Sequence, residues 1–253
     1  MPAQAQAPPQ SAAEHYAAQA SLAQALAVQV AAAWRLLDPA RLADTVPRLS
    51  AGVAALVHRY GLASSHVAGL YYEAARELAG VAGRVTVVPA QPAGLDRVTA
   101  GVQWATRDLW RPDYQDSLEP ARVMVAGVAG QLALDAGRDT VIGAVHRDRQ
   151  ARGWARHVEP GACAFCAMLA ARGAVYRSRQ TAEFQAHGHC RCQPVPVFGA
   201  YEPTAQVREW QALWESSTRG KSGAAARLAF RQALEGRASK QGPARGDDTP
   251  HGG

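Results

Sequence analysis

A chain of 253 residues with 48% apolar content can bury a core of its own, which sets aside the small disulfide-dense classes. A net charge of +6 is modest for this length, and only Lys221 and Lys240 among the 27 basic residues are lysine. Arginine suits bidentate phosphate contacts, yet GC-rich coding explains the same bias in a chain so rich in alanine and glycine, so charge alone does not mark a nucleic-acid binder.

Met1 to Gln10 is a Pro/Gln/Ala tract that lacks the basic residues and apolar run of a secretory signal, and residues 1–13 are expected to be disordered. From Glu14 to Leu37, Leu22, Leu26, Val30, Trp34 and Leu37 recur at helical spacing, and Asp38-Pro39 ends the run. Gln19, Gln24, Gln29 and Arg35 break this stretch as a membrane span. Between Pro39 and Leu78 a helical pair is predicted: Leu49, Val53, Leu56, Val57 and Tyr60 form one stripe that stops at Gly61. Ser64 or Ser65 then caps a second helix carrying Val67, Leu70 and Tyr71.

Val85-Thr-Val-Val88 has strand composition, but Pro89 and Pro92 make it a linker. Leu95, Val98, Val102, Ala105 and Leu109 restore the helical period up to Trp110, where Arg111-Pro112-Asp113 breaks it. Glu119 to about Arg156 reads as helix again, with glycines at 127, 130, 137 and 143 weakening it. Short strands are expected around Val175-Tyr176 and Val195–Val197, and a helical segment from Thr204 to Leu234 is interrupted near Gly220 to Gly223. The expected architecture is mainly α: a helical assembly domain over residues 14–150, a small α+β Cys/His module over 151–200, a C-terminal helical segment over 201–235, and a disordered tail over 236–253.

All four cysteines lie between residues 163 and 192, as Cys163-Ala-Phe-Cys166 and His187-Gly-His189-Cys190-Arg-Cys192. Confinement to one segment differs from a secreted disulfide framework, which spreads its cysteines through the fold. A C-x-x-C turn brings two thiolates to one side of the backbone, and alternate residues of an extended C-x-C share a face, so the two elements can supply a tetrahedral zinc site. The candidate ligands are Cys163, Cys166, His187, Cys190 and Cys192, with His189 in reserve; reduced thiols packed in a core and a disulfide between the two elements stay open. Enough ligands are present to close the shell, which favours structural over catalytic zinc.

No G-x-S-x-G elbow, P-loop, dinucleotide glycine pattern or H-E-x-x-H occurs, so no catalytic residue is assigned. Arg149, Arg152 and Arg156 share one face if the preceding helix continues, and they are the candidate contacts to DNA phosphates or an acidic partner; the plainer reading is a solvated helix end. Trp154 is expected to anchor a core, and Trp210 and Trp214, at i and i+4, mark the packed face of a helix.

The segment Trp154–Cys166 with Ala167-Met-Leu169, Arg172-Gly-Ala-Val-Tyr176 and His187-Gly-His-Cys190-Arg-Cys192-Gln-Pro194 resembles the phage Mu F-like minor head proteins, actinobacteriophage type. That family pairs a C-x-x-C element with a pattern like H-P-x-C-R-C, onto which His187, Cys190, Arg191 and Cys192 fall, with Gly188 in place of the usual proline. The likeness covers about a sixth of the chain. It implies a structural, non-enzymatic virion component of head morphogenesis, acting near the portal and located in the virion, or in the host cytoplasm during assembly. Its partners would be portal, capsid or scaffold proteins, with packaged DNA as a further candidate and neither membrane nor small-molecule substrate. A zinc-dependent DNA-binding module and a capsid maturation protease are the alternatives.

Overall fold

The computed structural model describes residues 11–158, 162–173 and 190–241. Two compact units make up the chain: Met1–His157 with Ala174–Tyr201, and Val158–Gly173 with Glu202–Gly253. The fold is mainly α, as the sequence predicts, with one small sheet and a C-terminal helix.

Among the described residues the first unit holds the helices α1 (Ala12–Ala33), α2 (Leu42–Leu78), α3 (Leu95–Thr106) and α4 (Leu118–Arg147) and the strands β1 (Gly153–His157) and β2 (Gln193–Val197). Helix α1 starts two residues before the predicted boundary because Ser11 and Glu14 form a reciprocal capping box: each side chain accepts the other residue's backbone N–H at 3.1 Å. Leu26 and Val30 of α1, Leu49, Val53 and Val57 of α2, Val98 and Val102 of α3, and Val125 and Ala129 of α4 close one core. Tyr71, Tyr72, Val141, Val145 and Trp154 close a second.

The predicted break at Gly61 does not occur, and α2 runs on for 37 residues. Gly61 serves packing instead: a Cβ there would stand 2.7 Å from the Pro92 Cβ of the connector, so only glycine admits that close approach. Helix α4 is likewise unbroken despite its glycines. At Gly137 the reason is visible, since an added Cβ would collide with the Ser64 side chain. Ser64 Oγ donates to Gln19 Oε1 at 2.7 Å, and Gln19 Nε2 donates to the Ser64 carbonyl at 3.1 Å, so a buried polar lock ties α1 to α2 where α4 passes closest. The Val85–Val88 stretch is a connector, as expected from its prolines; beyond it, the Ala90 N–H donates to Thr140 Oγ1 at 2.9 Å and its carbonyl accepts from Ser65 Oγ at 2.7 Å.

One turn earlier in α1, His15 is fully buried and lies flat on the Tyr71 ring, with centroids 4.3 Å apart. Burial, assisted by the charge of His157, pushes its imidazole down to about 3.

The helix predicted to reach Arg156 stops at Arg147, and residues 153–157 form β1. Asp148 explains the change of direction. Its carboxylate accepts from Arg76 Nε at 2.9 Å, Tyr72 Oη at 3.1 Å and the Gln150 N–H at 3.0 Å. Burial alone would raise the Asp148 carboxyl, but the Gln150, Arg76 and Tyr72 hydrogen bonds outweigh it and hold the group below its ordinary value. Arg76 also donates to the carbonyls of Val81, Ala82 and Gly83, closing the end of α2. One buried ion pair thus fixes both the exit from α2 and the turn into β1.

β1 and β2 are antiparallel, with Gly153 opposite Val197, Ala155 opposite Val195 and His157 opposite Gln193. Pro194 and Pro196 lie within β2, which a two-stranded ribbon tolerates because each strand has an edge that makes no ladder bonds. The expected strand near Val175-Tyr176 lies outside the described residues.

The second unit contains α5 (Ala164–Ala171), α6 (Ala205–Thr218) and α7 (Gly223–Gln241). Trp210 and Leu213 of α6, Met168 and Leu169 of α5 and Phe230 of α7 form its core, and Trp214 packs on Phe230 with ring centroids 5.3 Å apart. Both tryptophans therefore pack inward, as their spacing implies. The interruption at residues 219–222 is as predicted, but α7 continues to Gln241, beyond the boundary expected at Gly236. No single helix among the described residues is long and apolar enough to cross a membrane.

Candidate metal centre

In the first unit Cys190 and Cys192 lead directly into β2, and both thiols are buried. Their Sγ atoms stand 2.7 Å apart, so the C-x-C element points both sulfurs to one side. Antiparallel pairing sets Arg156 of β1 opposite Pro194, and from there Arg156 Nη1 donates to Cys192 Sγ at 2.8 Å.

Arg138 holds this element from behind. Its side chain is fully buried; Nη2 donates to the Cys190 carbonyl at 2.6 Å, Nε to the Cys192 carbonyl at 3.1 Å, and Nη1 to Asp135 Oδ1 at 2.9 Å. Both carbonyls flanking Arg191 are thereby bound to α4, which fixes the direction of the two thiols. Arg138 is absent from the ligands and contacts expected from the sequence. Its only trace there is a charge inside an apolar helical stretch, Leu132-Ala-Leu-Asp-Ala-Gly-Arg138, with a carboxylate three residues earlier.

In the second unit Cys163 caps α5, its Sγ accepting the Cys166 N–H at 3.5 Å. Cys163 is exposed, whereas Cys166 is buried in the first turn of the helix. The C-x-x-C thus occupies a helix start. His187 and His189 lie outside the described residues.

The donor chemistry is that of a soft metal site: two thiols are presented together by one backbone element, with a hydrogen-bond donor on one sulfur and the buried Arg138 holding the element's carbonyls. Of the three arginines expected to share a helical face, Arg149 and Arg152 are exposed in the connection after α4, while Arg156 is 2% exposed and engages sulfur. No common face forms, because the helix ends before any of them.

Residues 6–217 match a family of proteins described as VG15 protein, a span that includes all four cysteines. No curated protein and no solved structure matches the chain.

Proposed function

The chain belongs to the VG15 protein family, a family of viral (phage) proteins, and from that premise we propose that it is a minor head protein of the Mu F-like type. In this reading it is structural rather than catalytic, works near the portal while the capsid assembles, and stays in the virion. Its partners are portal, capsid or scaffold subunits. The observation that carries the proposal is the family match, which spans both the helical region and the cysteine segment bearing the H-x-x-C-R-C pattern. Mass spectrometry of purified particles from the source phage should detect the chain in procapsids or virions. Its absence from both would sink the proposal.

The metal belongs to the same reading. The proposed zinc ligands are those that the spacing names, Cys163, Cys166, His187, Cys190 and Cys192. Zinc, when bound, would supply a structural anchor for the thiols that hold it. The chain's own residues prepare for it: Arg138 fixes the C-x-C carbonyls, and Arg156 holds Cys192 Sγ. Elemental analysis of the purified chain should give one zinc per molecule, and Cys190→Ser or Cys192→Ser should abolish retention. Metal-free protein whose melting temperature does not respond to added zinc would remove the metal from the account.

A further inference from the structure

Of the six tryptophans, four are buried or half-buried, but Trp104 and Trp110 are 56% and 58% exposed. Both stand at the end of α3, where the helix tightens into a 3-10 turn over Arg107–Trp110. Three residues at about 100° each and three at about 120° leave the two indoles about 60° apart around the axis and about 10 Å apart along it. They therefore share one face. Arg97 bonds Asp135 at 3.1 Å, and Gly101 abuts Val128, so α3 and α4 run antiparallel; the same register carries Val123, 42% exposed, close to the level of Trp104. The result is a pair of exposed indoles on one face of the first unit.

Charge decides what fits this patch. The Arg107 guanidinium carbon lies 4.6 Å from the Trp104 ring centroid, so an arginine already covers one face of that ring, where a nucleic-acid base would otherwise stack. Asp108 engages Arg107 at 3.8 Å and Arg111 at 3.4 Å, and the exposed Asp113 and Asp116 follow within two turns. These carboxylates repel phosphate. A rim carrying both signs beside an aromatic centre is self-complementary, as a twofold contact requires, since the same patch must meet itself and Arg111 of one copy can face Asp113 of the other. Tryptophan and arginine are also the side chains that dominate binding energy at protein interfaces.

We propose that the face formed by Trp104 and Trp110, rimmed by Arg107, Arg111 and Asp113, is the contact through which two copies of this chain pair. The contact goes beyond the head-protein reading and does not depend on it. Sedimentation velocity of the full chain over a wide concentration range should show a reversible dimer. The double variant Trp104→Glu, Trp110→Glu should remain monomeric with an unchanged far-ultraviolet circular dichroism spectrum. A wild-type chain that stays monomeric at every concentration overturns the proposal, as does a dimer that persists in the double variant. Should that variant fail to fold, Arg111→Asp, at a side chain 70% exposed, provides the second test: at least a ten-fold weaker dimer is expected, and an unchanged one overturns the proposal. Binding of a single-stranded oligonucleotide that quenches tryptophan emission in the wild type, but not in the double variant, without any dimer, would assign the face to nucleic acid instead.

Discussion

Replacing Arg138 with methionine is expected to destabilise the first unit by about 3–5 kcal/mol, the range for removing one partner from a buried charged network. Methionine retains the apolar stem but leaves the Cys190 and Cys192 carbonyls without their donor and takes the Arg138 partner from Asp135. Urea unfolding followed by circular dichroism reads this loss. The same substitution reaches the proposed metal centre, because the C-x-C element loses its anchor to α4; zinc affinity should fall about 10–100-fold in a competition with a chromogenic chelator. Arg138→Lys keeps the charge but not the planar fork, so it should recover only part of both effects. Wild-type stability in Arg138→Met would show that the carbonyls find other donors and that the guanidinium does not fix the thiols.

Acidification is expected to weaken the first unit well above the range where carboxylates titrate. His15 is neutral and buried in the folded chain, with its imidazole lowered from 6.5 to about 3. The unfolded chain binds the proton first, so between pH 6.5 and 3 the unfolded state holds more protons and stability falls as pH falls. The contribution of neutral His15 is complete above pH 6.5 and is withdrawn on the way to pH 3, by on the order of 5 kcal/mol in full. Asp148 adds its own loss once pH falls below the ordinary carboxylate value, because its folded carboxyl is held lower and the stability its hydrogen bonds supply is gone when pH has fallen through that lower value. His15→Phe keeps the stack on Tyr71 and removes the titration, so the slope of stability against pH between 6.5 and about 4 should flatten. An unaltered slope would assign the acid response to other groups.

Several elements of this fold were legible because their signals are local. The helical spacing of Leu26 and Val30, the prolines bounding residues 85–92 and the inward pairing of Trp210 and Trp214 are each decided by residues within a turn or two. Other signals pointed the wrong way. Gly61 has the composition of a helix stop, but α2 passes through it because Pro92, 31 positions later, occupies the space a side chain would need. The helical pattern after residue 147 extends through the arginines to Arg156, which as a continued helix would end in a solvated basic face; Asp148, held by Arg76 from 72 residues away, turns the chain into a strand and sends Arg156 inward to sulfur.

The candidate site divides along the same line. Cys163, Cys166, Cys190 and Cys192 stood out in the sequence because thiols at paired spacing are rare and chemically distinctive, and the cysteine segment carried the likeness to phage head proteins. By itself, then, the sequence determined the helical class, the candidate thiol ligands and membership of a phage protein family, since periodicity and ligand spacing are written in neighbouring residues. Only the tertiary structure decided that Arg138 grips the C-x-C carbonyls, that Arg156 is a sulfur partner rather than a surface cation, and that Trp104 and Trp110 face outward while the other tryptophans do not. Those outcomes depend on which residues distant in sequence come to share one desolvated space, where a charge must find an acceptor and a glycine can matter more for what it admits than for the helix it weakens.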